Sequence, residues 1–222
     1  MGAISRKFAN NFTTGGVFTS SAIVNASLNN VTDIPSAAKG KLVLLSTATA
    51  SSSASLEFNS TYINSSYSIY KFEFINIHPQ TDNVKLEFNL STDNGSNYNV
   101  TKTTTVFDAY HRENDTSTGV NYNSSQDLAQ STANQNLTPE VELGNANDAS
   151  ASGTLLLFNP ASTTYVKHFL YNGNHHTTYD PPWPINSYIA GYANTTSAIN
   201  AVKFIMNSGN IDAGTIRLYG IA

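Results

Sequence analysis

From Val84 to Ser91 every second residue is apolar: Val84, Leu86, Phe88 and Leu90 alternate with Lys85, Glu87, Asn89 and Ser91. A period of two puts one set on one face of an extended strand and the other set on the opposite face. The pattern recurs along the chain. Tyr70, Phe72 and Phe74 alternate with Lys71 and Glu73. The parity then shifts to Ile75 and Ile77, which predicts a bulge or burial on both faces. Val202, Phe204 and Met206, and later Ile216 and Leu218, are set against Lys203 and Arg217. Leu42–Leu45 and Leu155–Phe158 are continuous apolar runs, as expected of buried strands. Val17–Val24, Thr103–Tyr110, Tyr165–Tyr171 and Ser187–Tyr192 read as further strands, and Ser125–Ala133 as a short helix. The Ser/Ala/Thr tract Ser46–Ser55 reads as a loop or edge segment. Roughly ten to twelve short strands between Gly, Asn, Ser and Pro turns predict an all-β protein, an antiparallel β-sandwich or jelly roll.

Composition narrows the classes. Asn, Ser and Thr make up more than a third of the 222 residues. They are poor in helix interiors, which argues against a long-helix or coiled-coil protein. An aromatic content of 11% argues against disorder. There is no cysteine, so disulfides, thiol catalysis and thiolate metal sites are excluded, and packing and strand pairing must hold the chain together. A net charge of −4 with 11 basic residues is a poor match for nucleic acid. No apolar stretch approaches the length of a membrane span, so no membrane insertion is expected. Arg6 and Lys7 are not followed by the apolar core of a secretory signal. Residues 1–35 read as an N-terminal arm or docking segment, with a first strand and loop of the same domain as the alternative, and residues 36–222 as the sandwich domain.

Two segments are candidates for a site. Asp93-Asn94-Gly95 lies in Ser91–Tyr98 and predicts a structural hairpin turn, because Asn and Gly tolerate positive φ. Its spacing resembles the Asp-box hairpin; a calcium loop using Asp93 and Asn97 oxygens is the alternative. The second segment runs from Tyr171 through Asn174, His175, His176, Tyr179 and Asp180 to Trp183, and Pro181, Pro182 and the following Pro184 reduce the entropy lost on binding. It is a candidate ligand or interface loop: an ordinary surface or subunit contact, or a ligand or receptor contact in which aromatics stack on sugar rings. A metal site from His175 and His176 is disfavoured, because neighbouring side chains diverge. Catalysis has little support. No Gly-x-Ser-x-Gly elbow occurs, Pro35 stands where a phosphate loop before Gly40-Lys41 needs Gly, and Glu57, Glu73 and Glu87 each stand alone on strand positions. No catalytic residue, no cofactor and no enzyme activity are expected.

The C-terminal segment Ile199–Phe204, followed by Ser208–Gly220, resembles the ending of structural proteins of tailed phages, especially those of marine bacteria. Ile75-Asn76-Ile77-His78-Pro79 and Gly191–Thr196 are similar to the same group, and the resemblance spans about residues 40–222. It implies a non-enzymatic virion surface component, a fibre, tail appendage or head decoration, made in the host cytoplasm. It also implies a homo-oligomer, with a trimer as the expected form, held to capsid or tail proteins. A carbohydrate-binding, lectin-like module that recognises a host surface glycan is the alternative. In the same segment, Gly209 and Gly214 are expected to bracket a turn joining two antiparallel strands.

Overall fold

The computed structural model describes residues 42–221. The arm read into residues 1–35, with its strand at Val17–Val24, and the boundary at residue 36 lie outside the described residues. The described chain forms twelve strands and no helix. They are β1 (Leu42–Thr49), β2 (Leu56–Phe58), β3 (Ile69–Pro79), β4 (Leu86–Ser91), β5 (Lys102–His111) and β6 (Thr118–Tyr122). There follow β7 (Gln135–Asn136), β8 (Ala151–Phe158), β9 (Lys167–His176), β10 (Pro184–Ala193), β11 (Ala201–Met206) and β12 (Ile211–Ile221). They build one eight-stranded sheet, in the order β1-β12-β3-β8-β9-β10-β5-β6, and one four-stranded sheet, β2-β11-β4-β7.

The pairing is nested. β1 pairs with β12, β2 with β11, β3 with β8 and β4 with β7, every pair antiparallel. A long hairpin rolled so that successive strands fall in alternate sheets gives this arrangement, which is a jelly roll. Two hairpin-like additions lie outside the nest. β5 and β6 follow β4, and β9 and β10 follow β8, and all four join the same sheet beyond β8. One face of the sandwich is thereby widened to eight strands while the other keeps four.

Alternation decides what each strand buries. Tyr70, Phe72 and Phe74 of β3 point inward, and beyond the bulge Ile77 does. The register of β3 against β8 shifts between Phe74 and Ile77, where Asn76 has a φ of 47°. The bulge read from the parity change is therefore present. Gly214 of β12, with a φ of 111°, lies against it, where a Cβ would come within 2.5 Å of the Asn76 carbonyl oxygen. Phe204 of β11 stands at the centre of the interior. Its ring lies 5.0 Å from Phe74 and 5.2 Å from Phe72, both edge-on, and 6.3 Å from Phe58. Such edge-to-face pairs add about 0.5–1.5 kcal/mol each beyond the burial of area.

Four local expectations fail. Leu42–Leu45 is not a buried strand: it lies on the edge strand β1, where Leu42 and Leu44 are exposed among the described residues. Ser125–Ala133 forms turns and irregular chain, with no helix. The four-stranded sheet is too narrow to cover β5, and this segment covers it instead. Lys102 and Ser131 exchange backbone hydrogen bonds, the Thr104 N–H donates to the Leu128 carbonyl oxygen, and the Leu128 N–H donates to Thr104 Oγ1, so the segment's backbone groups pair with the β5 edge rather than with one another in a helix. Asp93-Asn94-Gly95 is a tight turn but not a hairpin, because β4 and β5 lie in different sheets. Likewise Gly209 turns the chain between β11 and β12, which pack across the sandwich rather than pair, and Gly214 lies inside β12. The Ser46–Ser55 tract is split: its first residues complete β1, the edge strand of the wide sheet.

Candidate functional site

The Asp93 turn is held from within. Asp93 Oδ1 accepts from Ser91 Oγ at 2.7 Å and from the Asn97 backbone N–H at 2.8 Å, and Oδ2 accepts from Asn97 Nδ2 at 2.7 Å. These donors, the Asn97 amide foremost, hold the Asp93 carboxyl down at about 2. Asn94 and Gly95 have φ of 61° and 90°, the left-handed region the sequence predicted. Tyr98 donates to Glu57 Oε2 at 3.0 Å and lies under the Lys203 ammonium, 4.4 Å from its ring centre. Both Asp93 oxygens thus accept hydrogen bonds from within the turn itself.

Strand parity divides the Tyr171–Trp183 segment. Tyr171 and His175 point into the sandwich from β9, and Asn174 points out. His175 Nε2 lies 2.9 Å from the Val141 carbonyl oxygen, and burial pushes the imidazole down to about 4. It is therefore a neutral donor to that carbonyl. His176 follows on the other face of the strand, so the two imidazoles do not converge. Tyr171 lies over glycines: a Cβ on Gly173 would come within 2.0 Å of its hydroxyl. The loop after β9 is pinned at both ends. Thr177 Oγ1 accepts from the Trp183 N–H at 3.1 Å, and Thr178 Oγ1 donates to Asn83 Oδ1 at 2.9 Å.

Trp183 does not face solvent freely. Tyr110 of β5 stacks on it at 5.0 Å, Tyr179 leans on it at 5.0 Å, and the Arg112 guanidinium lies 4.3 Å from its ring centre. This packing ties the proline-rich loop to the end of β5. Tyr179, 52% exposed, is the aromatic ring left at the surface. Beside it lies a cleft of about 350 Å³ whose lining includes Asp82, Asn145, Asp148, His176 and Asp180. The structure therefore brings His176, Tyr179 and Asp180 to one cleft, places Trp183 behind Tyr179, and assigns Tyr171 and His175 to the core.

The second surface is the outer face of the wide sheet, which sequence reasoning missed. Here Thr154, Asn172 and Tyr188 are direct cross-strand neighbours on β8, β9 and β10, and Tyr188 faces Phe107 of β5. The Phe107 and Tyr188 rings stack at 4.9 Å with 9° between their planes. Asn172 Nδ2 donates to Asn186 Oδ1 at 2.9 Å, and Asn186 Nδ2 donates to the Tyr188 hydroxyl at 2.9 Å. A polar groove of about 720 Å³ runs over this row, floored by the backbone of Gly153 and Gly173. It adjoins an apolar pit of about 380 Å³ walled by Leu156, Leu170, Tyr188 and Phe107. Thr154 and Asn172 line both. Asn, Ser and Thr are so abundant in the chain that this row had no contrast against the rest of the sequence. Only the register of four strands brings it together.

Under the same strands lies a buried polar layer. Lys102 on the inner face of β5 donates to Asn89 Oδ1 at 2.6 Å and to the Val100 carbonyl oxygen at 2.9 Å, and burial lowers it to about 8. Asp108, three pleat repeats further along, accepts from Asn123 Nδ2. Burial, with the Glu140 charge nearby, raises its carboxyl to about 6. Lys102 ties β5 to β4, and Asp108 ties it to Asn123, just after β6. No protein-family model, no curated protein and no solved structure matches this chain.

Proposed function

We propose that this chain is a non-enzymatic structural component on the surface of a tailed-phage particle, a fibre, tail appendage or head decoration, that assembles with further copies of itself. One observation carries this reading: the four strands outside the jelly-roll nest all widen a single sheet. They add presenting surface while leaving the nest unaltered. Charged or titratable groups they bury, Lys102, Asp108, Lys167 and His175 among them, are engaged in tying strands and neighbouring segments together. The resemblance to phage structural proteins adds to it. Its C-terminal stretch falls on β11 and β12, each of which is paired on both sides, so the familiar residues are those that lock both sheets.

The test is mass spectrometry of gradient-purified particles from infected cells, with light scattering of the purified full chain. Recovery of the chain in stoichiometric amounts with the particles, and a trimer in solution, is the expected result. Its absence from intact particles overturns the virion role. Hydrolysis of a bacterial polysaccharide that depends on one of its carboxylates overturns the non-enzymatic role.

A further inference from the structure

We infer that the outer face of the wide sheet is a saccharide-binding groove, selective for sugars that carry a methyl group, N-acetylated or 6-deoxy. The inference goes beyond membership of a particle and does not depend on it. Its basis is the juxtaposition of fixed, unspent hydrogen-bonding groups with a small apolar pit. Asn172 spends its amide N–H groups on Asn186 and on the Ser187 carbonyl oxygen, and Asn174 spends one of its own on the Ile185 carbonyl oxygen. Their Oδ1 atoms, with Thr154 Oγ1, meet no donor among the described residues. The Tyr188 hydroxyl accepts from Asn186 and keeps its proton to give. The row therefore offers acceptors to sugar hydroxyls or an acetamido N–H and a donor to a ring or acetyl oxygen. The ladder holds them in place before a ligand arrives, which lowers the entropic cost of binding.

The apolar half supplies selectivity. Leu170 is 48% exposed and Tyr188 37% exposed, and their free surfaces face the pit. A methyl group placed there leaves water for an apolar contact, worth about 0.8 kcal/mol per carbon buried. A plain hexose has nothing to put there but a hydroxyl, which the pit cannot pair. The groove and pit fall in the size range of small-ligand sites, roughly 300–1,000 Å³. A protein partner needs about 800 Å² of matching surface on each side. The rim carboxylate, Glu73, is already engaged: it accepts from Lys71 at 3.4 Å and from the Tyr219 hydroxyl at 3.3 Å, and the Arg217 guanidinium lies 4.0 Å away.

The test is calorimetric titration of the purified full chain with tri-N-acetylchitotriose, with a 6-deoxyhexose trisaccharide and with cellotriose. Cellotriose has the chitotriose linkage without its acetamido groups. Binding of at least one methyl-bearing sugar in the ~0.1–1 mM range, at least about fivefold tighter than cellotriose, is the expected result. Leu170→Asn and Tyr188→Ala each weaken it about tenfold while keeping the unfolding temperature within about 4 °C, and Trp183→Ala leaves it unchanged. The inference is overturned if neither methyl-bearing sugar binds or cellotriose binds equally well. Loss of binding in Trp183→Ala with Tyr188→Ala unaffected also overturns it. So does self-association that Leu170→Asn abolishes, since the face would then belong to a second copy of the chain.

Discussion

Single residues set the pH response. His175 is held near 4 by burial, against about 6.5 for a free imidazole. Above pH 6.5 it is neutral in both the folded and the unfolded chain and contributes no pH dependence. Between 6.5 and 4 the unfolded chain takes up a proton that the folded chain refuses, so stability falls with acidification. One such group gives a slope of at most about 1.4 kcal/mol per pH unit. His175→Gln keeps a donor for the Val141 carbonyl and is expected to flatten this limb in urea denaturation at pH 4.5 and 7. An unchanged slope would show that His175 is not the titrating group. Asp108 works in the opposite sense. Its folded carboxyl is raised to about 6, so the stability it contributes is present at low pH and lost as pH rises through 6. Asp108→Asn keeps the acceptor for Asn123 and removes a buried charge. A higher melting temperature at pH 7.5 with no change at pH 3.5 is expected, and a lower one at pH 7.5 would show that the charge itself is needed. Neither role was legible in the sequence: His175 read as a loop residue and Asp108 as one position of a strand.

At the scale of elements, the alternating strands were legible and their partners were not. The pattern from Val84 to Leu90 places β4 and its inner face without any other information. It does not say that β4 has β11 and β7 as neighbours, because a strand with one apolar face can join either sheet of a sandwich. The Asp93 turn illustrates the limit. Local chemistry dictates a tight turn with left-handed residues at Asn94 and Gly95, and the turn is there. Whether it closes a hairpin depends on where β5 finds its partner, and β10 holds β5 through nine register positions from Lys102 to Tyr110. Phe204 is where the elements meet, edge-on to rings from β2 and β3. Phe204→Ala opens a cavity between the sheets and is expected to cost about 3–5 kcal/mol in chemical denaturation. A cost under about 1 kcal/mol would mean that the interior collapses around the gap.

For the whole molecule, the nest and its additions have different support. β12 and β3 lie between partners on both sides, whereas β6 has only β5, and its residues are mostly exposed. Amide hydrogen exchange is expected to be slowest in β3, β11 and β12 and fast in β6, since local opening needs only the contacts that opening breaks. Protection of β6 equal to that of β12 in the full chain would show that its free edge is covered. The same asymmetry makes the wide face available: the rows on its outer side have no layer packed on them among the described residues.

The sequence by itself determined the all-β character, the inward set of most strands, the break in parity after Phe74 and the turn at Asp93. Each follows from steric preference and from a period of two, which act over a few residues. The tertiary structure decided which sheet each strand joins, that Trp183 packs behind Tyr179, and that Thr154, Asn172 and Tyr188 form one row beside Leu170. Those positions lie far apart along the chain, on three different strands, and only the hydrogen-bonded register of the wide sheet brings them within reach of one ligand.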